Sequence, residues 1–575
     1  MKNDYKVLGI NYEGHDTSAA IGIGDKIICA CEQERFDLIK HSKNFPIDAI
    51  NECLKISSLK ISDIDEIALT VDYYDMIKRI YLQPAIESKD RLDFLINDIG
   101  RIKNYNSFEE IVRKKLNYRG KINSYRHHLC HLASAYYPSG FDKAIVFSND
   151  GIGEYETGML GVGNNGKIQI KDFGAKYPNS LGLIYSAITY YLGWQHHCDE
   201  GIIMGLAPYG DPYETIPSSN KKYIEIFRDI ILDRSEFNYE INKKWIAYHL
   251  KRDTWISNKF IDLFGKPRLK HQKIENHHKN IAAALQLRLE EIVLKKLKYA
   301  KQKYKFDYLC IAGGVGLNCS LNGKIVNEKI FKEIFVQPAS GDSGVALGSV
   351  YLAMAKNSRN NSLKVSKRYN HYLGSRFNDN DIELEIKKTN LKYSKPKNIY
   401  LKTAKLINNG KIIAWFQGAA EFGPRALGNR SILCKPYPSE MRDYINSKVK
   451  FREYFRPFAP AVLEEKYKKY FNIDQKSPHM LIACQVKEKY NNKISAVVHV
   501  DDSCRVQTVS KKNNSNFYKL ISEFYKLTNC PVLLNTSFNV KGQPIVNNPK
   551  QALESFKNTN IEVLVIGSFL LEKNK

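Results

Sequence analysis

From Tyr5 to Glu32 the chain alternates short apolar runs with polar breaks: VLGINY, the polar turn EGHDT, SAAIGIG, a Gly-Asp turn, then KIICACE. Runs of that length, bounded by Gly, Asp and Asn, predict three strands. The same order returns from Ala144 as AIVFSND, the acidic glycine-rich stretch GIGEYETG, MLGVG, an Asn-Asn-Gly turn and KIQIKDFGA. Two such units predict an internal duplication, with the two acidic turns facing each other across a cleft.

Between the units, Pro46 to Leu116 reads as mostly helix. From His278 to Ala300 the apolar residues recur three and four apart, as a helix buried on one side requires. A strand with a glycine turn, DYLCIAGGVGLNCSLNGK, and a loop opening into a helix, FVQPASGDSGVALGSVYLA, come next. The polar stretch NSRNNSLKVSKRYN then predicts a domain junction. The division expected is 1–365, a junction over 366–395, and a second domain over 396–575.

At 575 residues the chain exceeds what one core organises, and 43% apolar with 26% charged residues excludes wholesale disorder. The charge changes the picture more: 87 Lys and Arg against 61 Asp and Glu leave +26. Such an excess favours polyanions. It is also what a genome-wide base bias produces, since Lys, Asn and Ile are abundant throughout. Eleven cysteines, odd in number and without a CxxC pair, predict a reducing cytoplasm over a disulfide framework. The first residues lack the apolar stretch of a signal peptide, and no run reaches the roughly 18 apolar residues that span a bilayer. A cytoplasmic location without a membrane partner is expected, and a homodimer stays open.

Three sets of residues carry candidate chemistry. His127 and His131 in RHHLCH are spaced i, i+4, one turn apart on one helical face, as two ligands of one metal would be. Paired histidines are as often plain surface or core residues. Asp342 in SGDSG is a candidate third ligand, and two histidines with one carboxylate leave positions open, which favours a working ion such as iron over a sealed zinc. The turns AGGVGLN and SGDSG let backbone N–H groups approach a phosphate or nucleoside, although glycine turns are common in α/β proteins. Arg425, Arg430, Lys450, Arg452, Arg456 and Arg505 alternate with Gly, Pro and Phe in tight turns. Arginine buried there implies an anionic, phosphate-bearing ligand.

With these residues in view, the chain resembles the NodU/CmcH-type O-carbamoyltransferases. GHDTSAAI, EQERFDLIKH, HHLCH, DGIGE, SLGLIYSAITYYLGW, MGLAPYG, AGGVGLN, GDSGVALG, FGPRALGNRS, FRPFAP, RVQTV and LNTSFNVKGQPIV match family motifs in order over nearly the whole chain. The resemblance implies an α/β fold: an actin-like ATPase N-terminal domain of duplicated RNase H-like halves, similar to the tRNA threonylcarbamoyl-transferring enzyme, and an α+β YrdC-like C-terminal domain. It implies that carbamoyl phosphate and ATP, with Mg2+, give carbamoyl adenylate in the second domain. The carbamoyl group then passes to an acceptor hydroxyl at a site in the first domain holding Fe(II) or another divalent metal. His127, His131 and Asp342 match the metal ligands, and His15 with Asp16 beside it matches the transfer site. Asp150, Gly151, Gly313, Gly314 and Asn318 match nucleotide-binding positions in the transfer domain. Arg425, Arg430, Lys450, Arg452, Arg456, Arg505, Asn535 and Ser537 fall on motifs for carbamoyl phosphate and the adenylate. Two departures stand out: Ile202 where many relatives have lysine, and Gly316 where alanine is commoner.

Two rival functions are weighed beside this one: a tRNA- or DNA-modifying enzyme with the same chemistry, and a non-catalytic actin-like ATP-binding scaffold. The charge points to an anionic acceptor, a hydroxylated base in nucleic acid or a phosphorylated glycan. In that reading Lys221-Lys222, Lys243-Lys244 and the lysines from Lys266 to Lys273 border the acceptor entrance, with Trp245, Tyr248 and Trp255 stacking on bases.

Overall fold

Both three-strand units form, and they form alike. In the computed structural model, which describes residues 4–573 except 13, 252, 359 and 367–369, β1 (Lys6–Asn11), β2 (Ser18–Ile23) and β3 (Lys26–Glu32) make an antiparallel meander. β4 (Glu66–Leu69) joins β1 in parallel and β5 (Lys121–Ser124) joins β4, giving the order β3-β2-β1-β4-β5. The second unit is β6 (Lys143–Asn149), β7 (Gly158–Asn164) and β8 (Lys167–Asp172). A small hairpin, β9 (Ile231–Asp233) and β10 (Tyr239–Ile241), stands apart. β11 (Tyr308–Ala312) and β12 (Glu333–Val336) then extend the second sheet in parallel to the order β8-β7-β6-β11-β12. Order and strand sense repeat, and each meander carries a register shift in its second hairpin, at Ile21/Gly22 and at Leu160/Gly161.

β4 departs from the helical reading of residues 46–116. Its four residues EIAL are buried on both faces between two parallel neighbours, and so short a run shows no period that separates strand from helix. The predicted long helix runs from Asn276 to Tyr304.

Each half ends in a helix that is buried nearly all round, His127–Tyr136 after β5 and Ser343–Lys356 after β12. The two pack against each other between the sheets. A Cβ on Gly348 would stand 1.9 Å from the carbonyl oxygen of Cys130, and one on Gly9 would stand 2.2 Å from that of Ala346. These glycines let helix meet helix and helix meet strand at backbone distance. The arrangement brings the N-terminal turns of both helices to the same cleft as the turns after β1 and β6.

The C-terminal region is a mixed eight-stranded sheet built from β13 (Tyr393–Ser394), β14 (Ile413–Phe416), β15 (Arg430–Cys434), β16 (Ala459–Leu463), β20 (Gln507–Val509), β21 (Val532–Ser537), β22 (Val563–Ile566) and β23 (Phe569–Glu572). Its order is β13-β23-β22-β14-β15-β21-β16-β20. A three-stranded sheet of β17 (Phe471–Asn472), β18 (Ala483–Val486) and β19 (Ser503–Arg505) adjoins it. Within the expected junction 366–395, residues 367–369 lie outside the described residues. The rest carries a helix, Asp379–Lys387, packed on the helix Pro549–Lys557, and β13, which pairs with β23. The two regions are stitched by Arg35 donating to Gly423 O (2.7 Å), Asn322 to Leu481 O (2.9 Å) and Trp194 Nε1 to Glu453 Oε1 (3.2 Å). All eleven cysteines are free, and among the described residues no helix is long and apolar enough to cross a membrane.

Candidate functional site

The first-domain cleft gathers two histidines and two carboxylates. His127 and His131 lie one turn apart on their helix with Nε2 atoms 3.1 Å from each other. Asp342, at the N-cap of the opposing helix, places Oδ1 at 3.6 and 3.7 Å from those two nitrogens. Asp150, just past β6, places Oδ2 2.8 Å from His131 Nε2. One ligand atom from each of the four lies within 4.8 Å of all the others. Asp150 Oδ2 is buried and makes no aligned hydrogen bond among the described residues. Four N and O ligand atoms converging on one point, two imidazoles and two carboxylates, fit a divalent cation that keeps coordination positions open. Burial opposes a proton on His131, but Asp150 and Asp342 outweigh it and raise the group to about 9, so the field of the site favours positive charge.

Neighbouring residues hold this geometry. Glu154 Oε1 accepts from the backbone N of His127 (2.8 Å) and fixes the start of the helix. His128 turns away as its spacing predicts, onto Ser148 Oγ (3.0 Å) and Glu156 O (2.9 Å). A Cβ on Gly153 would stand 2.9 Å from the His128 ring, so the DGIGE turn closes on the histidines only with glycine there. On the opposite side His15 Nδ1 meets Asp16 Oδ2 (3.0 Å), and its Nε2 stands 3.8 Å from Asp342 Oδ2. Burial lowers His15, but Asp342 and then Asp16 outweigh it and raise it to about 10. Asp16 Oδ1 also takes His41 Nδ1 (2.6 Å), and although burial opposes ionisation, the two imidazoles hold this carboxyl below its usual range.

Of the residues expected to meet a nucleotide, Gly151 donates its N–H to Asp150 Oδ1 (2.6 Å). Gly313 has a φ of +87° and no room for a Cβ, which would stand 2.3 Å from Asn149 O. The glycine turn is thereby pressed onto the Asp150 turn, so Asp150 serves the histidine centre directly. Asn318 is engaged at both ends, accepting from Leu321 N (2.9 Å) and donating to Gln286 Oε1 (2.9 Å).

The second centre has the opposite sign. Lys450 is buried and donates to Ser537 O (2.6 Å) and Oγ (3.2 Å) and to Asn539 Oδ1 (2.6 Å). Arg452 donates to Asn446 Oδ1 (2.7 Å) and lies over Phe458. The Nε atoms of Arg425 and Arg505 are buried without a partner among the described residues, as is Oδ1 of Asn535. Burial, followed by the charge of neighbouring arginines, presses Arg425 down to about 9 and lowers Lys450, Arg452 and Arg505. Among the described residues the one carboxylate paired with this group is Glu453, 3.6 Å from Arg456. Five cations facing one carboxylate have the composition that fits an anion. Arg430, expected with them, is fully buried elsewhere. Its guanidinium lies over Phe416 and donates to the carbonyls of Gln417 (2.6 Å), Asn429 (3.0 Å) and Ser375 (3.2 Å), so it holds backbone together.

Between the centres runs the glycine turn 313–318. Cys319, next in the chain, reaches Arg505 on one side and Met204 Sδ on the other (3.7 Å).

This arrangement coincides with two family models, "Carbamoyltransferase N-terminus" over residues 6–351 and "Carbamoyltransferase C-terminus" over 404–573. The chain belongs to the carbamoyltransferase family. It is 34% identical over 99% of its length to an uncharacterized protein of Synechocystis, sll1178, covering 96% of that protein. It is 35% identical to the nodulation protein NolNO of Sinorhizobium fredii, over 97% of this chain and 79% of that one. A 3'-hydroxymethylcephem-O-carbamoyltransferase of Streptomyces clavuligerus matches at 35% over 45% of this chain and 47% of its own. The carbamoyltransferase is thus an enzyme of the NodU/CmcH type. Among solved structures, a phosphate- and nucleotide-bound HypF is 15% identical over 62% of this chain and 57% of its own, at a TM-score of 0.31. A likeness that slight carries no weight beside the topology itself.

Motif reading did not single out His41 or His197. His41 follows EQERFDLIK inside a quoted motif, and GWQHHC advertises a histidine pair. Two aromatic residues expected to stack on bases are corrected by the structure: Trp245 is buried with Nε1 on Asp229 Oδ2 (2.8 Å), and Tyr248 is buried with its hydroxyl on Pro178 O (2.8 Å). Both complete the core around the small hairpin, and of the three only Trp255 is partly exposed.

Proposed function

We propose that this carbamoyltransferase runs two half-reactions at two centres: ATP-dependent formation of carbamoyl adenylate at the cationic centre, in a YrdC-like second domain, and O-carbamoylation of an alcohol at the histidine–aspartate centre of an actin-like first domain. The observation that carries the reading is the contrast of charge, five cations with one carboxylate in one place and two histidines with two carboxylates in the other.

At the cationic centre the phosphate of carbamoyl phosphate, and the phosphates of ATP with its Mg2+, meet Arg425, Arg452, Arg456 and Arg505. Atom balance sets the sequence. Water takes the phosphate of carbamoyl phosphate and leaves carbamate, whose oxygen attacks the α-phosphorus of ATP as pyrophosphate departs. Lys450 fixes the Ser537–Asn539 turn beside the phosphates, and Asn535 has an acceptor oxygen to spare. The mixed anhydride is labile to water, and the packing of Met204, Cys319 and Arg505 supports an enclosed route between the centres.

In the first domain His127, His131, Asp150 and Asp342 would hold a divalent ion such as Fe(II), whose chemistry there would be to polarise the carbamoyl carbonyl. His15, oriented by Asp16 and kept protonated beside Asp342, supplies a positive charge and a proton to the departing AMP, while the acceptor hydroxyl's proton passes to solvent as its oxygen bonds the carbamoyl carbon. Incubating the purified chain with carbamoyl phosphate and ATP tests the reading. Equal amounts of phosphate and pyrophosphate, with carbamoyl adenylate seen by mass spectrometry, are expected. ATP left intact would overturn it.

A further inference from the structure

The helical segment between β4 and β5 is apolar on two sides. Inward, it sets Ile77, Ile80, Tyr81, Phe94 and Tyr105 in the core on one face of the first sheet, all buried. Outward, it carries a second apolar set: Ile86 is 85% exposed, and Leu82, Leu92, Ile96 and Ile99 are each about half exposed. A spacing of four residues puts Ile86 beside Leu82 and Ile96 beside Leu92. The helices that carry them, Gln83–Glu87, Leu92–Asn97 and Ile99–Asn106, pack on one another in turn. Among the described residues, five of the twelve exposed leucines and isoleucines fall in this one stretch, so the exposure is a patch and not scatter. A helix with one face in a core ordinarily turns a polar face outward, and a second apolar face calls for a second partner.

Charge decides what the patch fits. Residues 72–106 hold six acidic and six basic side chains, a net charge of zero in a chain of +26. A nucleic acid, an anionic membrane or an acidic protein is drawn to an excess of positive charge, and this segment has none to offer. Two copies of the chain repel each other through charge that lies outside it, and they approach here at the lowest cost. Exposed charges of both signs flank the patch, Glu87 and Asp93 with Lys89 and Arg101, so a twofold axis sets acid of one copy against base of the other. The five apolar residues expose roughly 500 Å2, and with that rim the face is of the order of the 800 Å2 that one partner contributes to a stable interface.

We propose that this face is the contact between two copies of the chain in a twofold dimer, with Ile86 and Ile96 at its apolar centre. The segment is fastened at its base, which keeps the ordering cost of docking low. Asp72 N donates to Glu154 Oε1 (3.0 Å), the same oxygen that holds the backbone N of His127, and the Tyr73 hydroxyl donates to Tyr12 O (2.5 Å). Arg91 is buried under the patch, donating to Ile80 O (2.7 Å) and His249 O, with its guanidinium over Phe94. The dimer contact is thereby joined to the element that starts the histidine helix, although the inference does not depend on the chemistry assigned to either centre.

Sedimentation equilibrium of the full chain from about 1 to 50 µM, a range that brackets a micromolar Kd, tests the proposal. We expect a mass that approaches twice the 66.1 kDa of one chain as concentration rises. Ile86→Glu and Ile96→Glu each bury an unpaired carboxylate in the dimer and should raise Kd at least about a hundredfold, leaving monomer throughout. Leu384→Glu, on the helix Asp379–Lys387 and 61% exposed in the wild type, should leave the dimer intact. Unchanged far-ultraviolet circular dichroism shows the variants folded. If either misfolds, hydrogen exchange of the wild type decides instead, with protection of the amides over 82–103 expected to rise with concentration. A wild type that stays monomeric over the whole range, a dimer that survives both segment variants, a dimer lost equally in Leu384→Glu, or exchange that ignores concentration would overturn the proposal. So would binding of the wild type, but not of Ile86→Glu, to phosphatidylcholine vesicles, which would give the face to a membrane.

Discussion

The two centres of this carbamoyltransferase are built from opposite imbalances. The histidine–aspartate centre gathers two buried histidines and two partly buried carboxylates around one point, and the arginine centre gathers buried donors with too few acceptors. The arginine centre is the costly one alone, since a buried charge without its complement loses hydration it does not recover. The difference is why a cation is proposed for the first centre and an anion for the second. It also separates ligand-holding residues from structural ones of the same type. Arg430 has its carbonyls, whereas Nε of Arg425 is buried without a partner among the described residues.

The sharpest way to break the comparison is at the cation-holding side. His131→Ala should lower transfer to an alcohol by about a thousandfold, since it removes a buried ligand from a centre asked to stabilise several kcal/mol of developing charge. Metal analysis of the purified variant should show loss of bound metal in step. Transfer at more than a tenth of the wild-type rate, with metal retained, would count against the centre.

Next in size is the arginine side. Arg505→Ala and Arg452→Ala should each weaken adenylate formation by about ten- to a hundredfold, the weight of one charge-assisted contact to a phosphate, and leave metal content unchanged. Steady-state pyrophosphate assays read this directly.

A smaller effect sharpens the contrast between two arginines five positions apart in one motif. Arg430→Ala should destabilise the ligand-free protein by about 1–3 kcal/mol, because buried carbonyls lose their donor. Arg425→Ala should leave stability unchanged or higher, because it relieves a buried charge already crowded by Arg505 and Arg456. Added phosphate should raise the melting temperature of the wild type and of Arg430→Ala but not of Arg425→Ala. Identical melting shifts in both variants would erase the distinction. Smallest of all is the response expected from nucleic acid. With Trp245 and Tyr248 in the core, binding to single-stranded RNA should be weak at moderate salt, and a steep salt slope with tight binding would revive the polyanion reading.

The sequence made the duplication legible because both meanders keep strand lengths and turn residues, down to the glycine beside each register shift. β4 was not legible, since a four-residue strand buried on both faces has no period. The i, i+4 histidines and Asp342 were legible through helix spacing and a glycine turn. The placing of Asp150 among them was not, for it depends on two helices from different halves crossing at backbone distance. Basic residues in turns revealed the arginine cluster but could not tell Arg430 from Arg425, because satisfaction by carbonyls is a property of the folded backbone.

The central claim is that the centres act separately, and one paired assay addresses it most directly: pyrophosphate release from ATP and carbamoyl phosphate, in His131→Ala and Arg505→Ala side by side. The account predicts release close to wild type in His131→Ala and strongly reduced in Arg505→Ala. Loss of pyrophosphate release to the same extent in both variants would contradict it.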